Sequence, residues 1–176
     1  MAKIGLFFGS STGNTENAAE LIQKDLQQRG LEVDLFNVMA DPVSKMQDYD
    51  CLVLGIPTWD IGELQEDWKN NWDDLDSLQL AGKKAALFGQ GDQRGYPATF
   101  QDCLGLLGNK LRERGATLVG FTSTDGFEFD ESLGVEDGKF MGLSLDDDNQ
   151  RELTEGRVAA WVEQLVAEFN LAAQAG

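Results

Sequence analysis

The chain has 176 residues, and its 31 acidic against 14 basic residues give a formal charge of −17, which argues against nucleic acid or an anionic membrane as a partner. It contains no histidine, so the commonest metal ligand and general base are missing. Its two cysteines, Cys51 and Cys103, lack a short paired spacing and read as free thiols in a reducing compartment. No signal peptide and no apolar stretch of roughly 18 or more residues is found, so a soluble, cytoplasmic protein of one domain spanning 1–176 is expected.

The apolar run 4–8 reads as a buried first strand. Behind it Ala18, Leu21, Ile22 and Leu26 recur at helical spacing, up to a stop at Arg29-Gly30. Leu31, Val33, Leu35 and Phe36 mark a second strand, whereas 38–48 has no strong period and is broken by Pro42. A third strand, 51–55, is apolar throughout, as a parallel sheet covered on both faces requires. The loop 56–62 and a polar segment carrying Trp68, Trp72 and Leu75 separate it from a fourth strand ending in Leu87-Phe88 and running into Gly89-Gln90-Gly91-Asp92-Gln93-Arg94-Gly95-Tyr96. Pro97 is predicted to open a helix with Phe100, Leu104, Leu107 and Leu111 on one face. Residues 117–121 begin a fifth strand, interrupted by the acidic, glycine-containing segment 123–139 and resumed at 140–145. Asp146-Asp147-Asp148-Asn149 reads as a turn before a last helix with Val158, Trp161, Val162, Leu165 and Phe169 on its apolar face. This alternation predicts an α/β fold: an open, doubly wound five-stranded parallel sheet in the order 2-1-3-4-5, three layers α/β/α, with a long insertion in the last strand.

In such sheets ligands sit outside the carboxyl ends of the strands at the switch point, where three unusual loops converge. The first, Gly9-Ser10-Ser11-Thr12-Gly13-Asn14-Thr15-Glu16, lies between strand and helix and offers neutral donors, with Gly9 and Gly13 expected to let backbone approach a ligand closely. It holds no Lys or Arg and has neither the G-x-x-x-x-G-K-[ST] nor the G-x-G-x-x-G spacing, so it suits one phosphate monoester; a plain helix cap would use similar residues. The second, with Pro57, Thr58, Trp59, Asp60, Ile61 and Gly62, and the third, with Gly89, Gly91, Asp92 and Tyr96, each bring an aromatic ring near a loop tip. Trp59 and Tyr96 could sandwich a flat conjugated ligand, with Asp92 along its polar edge. A planar ring bearing one phosphate is what FMN offers.

The chain resembles, essentially end to end, the long-chain flavodoxins of bacteria and cyanobacteria. The resemblance rests on the first and third loops quoted above, on Pro57-Thr58-Trp59-Asp60-Ile61-Gly62-Glu63-Leu64-Gln65-Glu66-Asp67-Trp68 and on Gly138-Lys139-Phe140-Met141-Gly142-Leu143. It implies a flavodoxin-like fold and a low-potential, one-electron FMN carrier that shuttles mainly between semiquinone and hydroquinone and has no substrate turnover of its own. By the same resemblance Ser10, Ser11, Thr12, Gly13, Asn14 and Thr15 hold the phosphate, Trp59 and Tyr96 flank the isoalloxazine, and Asp92 sits at its pyrimidine edge. The interrupted fifth strand marks the long-chain type. The implied partners are redox proteins with basic docking surfaces, such as ferredoxin/flavodoxin-NADP reductase or nitrogenase reductase. They would be drawn to a monomer by Asp60, Glu63, Glu66 and Asp67.

In the family a second-loop peptide turns to accept a hydrogen from the ring, and the matching bond here is Asp60-Ile61. That turn asks Asp60 for a positive φ, which Gly tolerates more freely. Asp60→Gly is therefore expected to widen the gap between the two reduction potentials in a redox titration, and an unchanged gap defeats the account. Arg94, in the third loop, opposes the otherwise acidic surroundings and raises the second reduction potential if it faces the flavin, whereas a solvated arginine pointing outward leaves it unchanged; the second potential of Arg94→Ala against wild type decides between them. Two rivals share the topology. An FMN-dependent NAD(P)H:quinone reductase would need open room over the ring; a phospho-receiver domain would need acidic residues where Phe8, Gly9 and Ser10 stand.

Overall fold

The computed structural model describes residues 3–59 and 61–170. Strand β1 (Lys3–Phe8), helix α1 (Asn14–Gln28) and strand β2 (Glu32–Asn37) are followed by a 3₁₀ segment at Val43–Asp48 and by β3 (Cys51–Gly55). Next come a small hairpin of β4 (Thr58–Trp59) and β5 (Glu63–Leu64), helix α2 (Glu66–Asn71), a 3₁₀ turn at Asp73–Ser77 and strand β6 (Lys84–Gln90). Helix α3 (Asp102–Glu113) leads to short strands β7 (Thr117–Val119), β8 (Thr122–Ser123), β9 (Val135–Glu136), β10 (Lys139–Phe140) and β11 (Leu143–Leu145). The single-turn α4 (Asp147–Gln150), a 3₁₀ turn at Arg151–Leu153 and α5 (Thr154–Glu168) follow.

The central sheet runs β2-β1-β3-β6 with every pair parallel. Along the outer edge of β6 lie two strands, β7 against Lys84, Ala85 and Ala86 and β11 against Phe88, Gly89 and Gln90. The expected fifth strand is thus one edge cut in two, and the order 2-1-3-4-5 holds. Between the halves, β8, β10 and β9 form an antiparallel sheet of their own.

Alternation along the strands builds two cores. Ile4, Leu6 and Phe8 of β1, Cys51 and Val53 of β3, and Ala86 and Phe88 of β6 pack with Ala18, Ile22 and Leu26 of α1 and Val158, Trp161 and Leu165 of α5. On the other face Phe7, Leu52, Leu54, Ala85 and Leu87 pack with Leu104, Leu107 and Leu111 of α3 and with Trp68 and Leu75. Helices on both faces explain why β1, β3 and β6 read as continuous apolar runs. Helix α1 ends where Gly30 takes φ 83, so that Gly30 N–H bonds to Gln27 O and Leu31 N–H to Leu26 O, while the buried Leu31 and Leu26 close the end hydrophobically.

Two expectations change. The segment after Pro97 is a turn, and α3 opens at Asp102 because Gln101 stands in the left-handed region at φ 59. Its fully buried amide compensates by donating toward Gly89 O, Leu145 O and Ser144 Oγ, tying β6 to β11. Phe100 is therefore off the helix, in a ring cluster with Phe127, Phe129 and Phe140 that fixes the excursion. Asp146-Asp147-Asp148-Asn149 is the start of helix α4, capped by Asp146, rather than a turn. Among the described residues no helix is long and apolar enough to cross a membrane.

Candidate functional site

At the carboxyl ends of β1, β3 and β6 a cleft of about 250 Å³ opens. The first loop lines it with Ser10, Ser11, Thr12, Asn14 and Thr15, the second with Pro57, Thr58 and Trp59, and the third with Gly91, Asp92 and Tyr96; Gln90 and Asp148 complete the lining. The two aromatic residues named in the sequence thus share one cavity. Gly13, Ile61, Gly62 and Gly89 do not line it, and Asp60 lies outside the described residues.

The first loop is shaped by its own chain. Gly13, at φ 93 just before α1, turns the backbone, and its N–H donates to Ser10 Oγ at 3.1 Å. The first-turn N–H groups of a helix have no intrahelical carbonyl, so α1 presents free donors and its positive dipole end at the cleft. The donor set of neutral hydroxyls, one amide and backbone N–H groups fits a single phosphate. A cation does reach the loop from far along the chain: Arg151 Nη2 donates to Asn14 Oδ1 at 3.1 Å. Gly9 serves packing. A Cβ there would come within 2.5 Å of Gln65 Oε1 and 2.8 Å of the Trp68 ring.

The second loop is the β4-β5 hairpin, with Trp59 opposite Glu63. Thr58 Oγ1 accepts the N–H of Cys103 at 3.0 Å, fastening the hairpin to the start of α3. Burial pushes the Cys103 thiol up to about 11, and its Sγ donates to Glu63 O. It is therefore a protonated structural thiol; Cys51 is likewise buried and free. Gln65, which caps α2, is only 2% exposed and reaches Ser11 Oγ at 2.9 Å, joining the second loop to the first. Ile61 stands out at 73% exposure, and Gly62 packs against Asp102.

The third loop is held from the far end of the chain. Asp92 Oδ1 accepts the N–H groups of Arg94 and Gly95 and, at 2.9 Å, Asn149 Nδ2. Asn149 also donates to the fully buried Asp146, which takes both the backbone N–H and Nε2 of Gln93. Gln90 Oε1 accepts the N–H of Asp147. Gly89 lies inside β6 beneath Gln101, while Arg94 is exposed and borders a separate polar hollow formed with the excursion. Burial alone would raise the pKa of Asp92, but the N–H of Gly95, the Asn149 amide and the N–H of Arg94 outweigh it and hold the carboxyl below its usual range. Asp148 goes the other way: burial, then the charges of Asp92, Asp146 and Asp147, raise it against the pull of Arg151.

The depressed Asp92 value carries a sign for stability. Its contribution is present above the unfolded-state value of about 3.9 and is lost as pH falls through the lower folded value. The stability difference between wild type and Asp92→Asn, from urea unfolding at a series of pH values, is expected to be constant near neutrality and to shrink below about pH 4.

Sequence reasoning did not name Gln90, Asp148, Gln65 or Arg151 for this site. The available signal was positional: the acidic run 146–148 follows the last strand at the carboxyl edge.

A family model described as flavodoxin matches residues 6–161. The flavodoxin of Synechocystis sp. is 50% identical over 165 residues, covering 94% of this chain and 96% of that protein. Flavodoxin 2 of Escherichia coli is 49% identical over 168 residues, covering 94% and 96%. Among solved structures, Fusobacterium nucleatum flavodoxin bound to flavin mononucleotide superimposes with a TM-score of 0.88 at 32% identity, over 96% of this chain and 99% of that one. With a matching family model over most of its length and relatives of about half identity along nearly all of it, the chain belongs to the flavodoxin family.

Proposed function

We propose that this chain binds FMN in the cleft and acts as a one-electron carrier between redox proteins, turning over no substrate of its own. The observation that carries the reading is one cavity that joins a neutral, single-phosphate donor loop to two aromatic side chains, Trp59 and Tyr96. FMN, when bound, supplies two successive one-electron steps. The chain's own residues bind and tune it. Ser10, Ser11, Thr12, Asn14 and Thr15, with the amides around Gly13, hold the phosphate; Trp59 and Tyr96 cover the ring and exclude water; Asp92 meets its polar edge. Asp92, Asp148 and the overall charge of −17 disfavour added negative charge and so keep the potential low.

Exposed Glu63 and Glu66 beside Ile61 give the cleft an acidic rim for partners with basic surfaces, ferredoxin/flavodoxin-NADP reductase or nitrogenase reductase among them. Asp67 contributes less, since its carboxylate accepts from the buried Gln65. The proposed carrier is a monomer, and a reducing cytoplasm accords with its two buried free thiols. Anaerobic reductive titration of the yellow protein is expected to give two resolved steps with no NADH oxidation by the protein alone. A single two-electron bleaching step, or turnover of NADH, overturns the carrier reading.

A further inference from the structure

Among the side chains of the first loop that can serve either as donor or as acceptor are the hydroxyls of Ser10 and Ser11 and the amide of Asn14. A phosphate dianion accepts only, so each of these groups binds it only when turned to present hydrogen. In each the accepting atom is already engaged by a donor of the chain itself. Ser10 Oγ takes the Gly13 N–H at 3.1 Å, Ser11 Oγ takes Gln65 Nε2 at 2.9 Å, and Asn14 Oδ1 takes Arg151 Nη2 at 3.1 Å.

Two of these three backing donors come from outside the loop, and neither can reverse its sense: the Arg151 guanidinium has donors only, and the Gln65 amide is fixed by its other partners. Gln65 Oε1 receives the N–H groups of Asp67 at 3.1 Å and Trp68 at 3.3 Å, so its NH₂ must face Ser11 Oγ and Asp67 Oδ2. Every hydrogen-bonding group of that amide is used, in a side chain 2% exposed. Its fixed polarity is handed to Ser11, whose own hydrogen is left for the cleft that Ser11 lines. Arg151 does the same for Asn14, freeing the Nδ2 hydrogens, and adds a positive charge to a loop that has no Lys or Arg of its own.

Resting on the reading that this loop holds the phosphate of FMN, we infer that Gln65 and Arg151 are positioning residues that set the loop's donor sense and, through it, the preference for phosphorylated flavin. They act through Ser11 and Asn14 and need not touch the ligand. The signature of this role is selective: it changes FMN binding and leaves riboflavin, which has the same ring without the phosphate, nearly unaffected. A purely structural role, such as capping α2, would weaken both ligands together.

The test titrates apo-protein with FMN and with riboflavin. Gln65→Met is expected to weaken FMN about tenfold and riboflavin less than about twofold. Arg151→Gln should weaken FMN about threefold at low salt, with the difference fading as salt rises, and Arg151→Lys should restore most of it. In a Ser11→Ala background Gln65→Met should lose its FMN-selective part, because the group it orients is gone. Parallel losses for the two ligands, or an unchanged FMN-to-riboflavin ratio, overturn the inference and leave the carrier reading standing. Arg151 is exposed, so its variants fold whether or not Gln65→Met does, and an unchanged ratio in Arg151→Gln is sufficient to reject its role. A wild-type protein that takes up no FMN removes both readings.

Discussion

Asp146→Ala is expected to lower the stability of the apo-protein by about 3 kcal/mol and to weaken FMN binding about tenfold or more. The carboxylate is fully buried and accepts from Gln93 twice, at 3.1 Å from the backbone N–H and 2.7 Å from Nε2. It also accepts the N–H and the amide of Asn149. Hydrogen bonds to a charged acceptor contribute roughly 1.5–3 kcal/mol each, and donors left buried without partners are costly. The full sum is not expected, because the bonds share one network and removal also relieves the repulsion between Asp146 and Asp148. Binding should follow stability here, since Gln93 sits in the third loop and Asn149 braces Asp92. Asp146→Asn, which keeps one accepting oxygen, should lose less on both counts. Urea unfolding together with FMN titration checks this; wild-type stability in the alanine variant would mean that Gln93 and Asn149 find other partners.

What the sequence disclosed depended on whether the cause was local. The strand 51–55 was readable to the residue because a strand covered on both faces must be apolar at every position. The last helix was readable because its five apolar positions repeat along one face, and Val158, Trp161, Val162, Leu165 and Phe169 are all buried. The interruption of the fifth strand was visible as a change of composition. The small sheet inside it was not, since two-residue strands carry no period to detect.

The same division runs through the site. Ser, Thr, Asn and Gly between a strand and a helix advertise a donor loop by their own chemistry, and Trp59 and Tyr96 advertise themselves as large rings at loop tips. Gln90 and Asp148 join the lining of the cleft, and Gln65 and Arg151 reach the residues of its first loop, through tertiary pairing; Arg151 meets Asn14 across 137 positions of sequence. Pro97 is a fair helix opener in isolation, and what displaces the start of α3 to Asp102 is the left-handed Gln101, whose bonds to two strands no local rule foresees.

Gly9→Ala should be the more damaging of the two loop glycine substitutions, costing about 2–3 kcal/mol and eroding the preference for FMN over riboflavin. The alanine Cβ would lie 2.5 Å from Gln65 Oε1 and 2.8 and 2.9 Å from Cδ1 and Nε1 of Trp68. Neither neighbour has room to yield. Trp68 is fully buried and donates Nε1 to Gly55 O at 2.8 Å, the same carbonyl that receives the Gly9 N–H at 3.3 Å. Gln65 is held at both ends of its amide, so pushing it aside breaks the bond to Ser11 as well as the cap of α2. Gly13→Ala supplies the contrast. At φ 93 an alanine is strained by about 1–2 kcal/mol, but its Cβ would meet nothing within 4 Å, so the Gln65 network stays whole. Urea unfolding and paired FMN and riboflavin titrations on both variants separate the two causes: steric displacement of α2 should move stability and ligand preference together in Gly9→Ala. If Gly9→Ala is no less stable than Gly13→Ala, then α2 can shift freely, and Gln65 is too loosely held to fix the sense of Ser11.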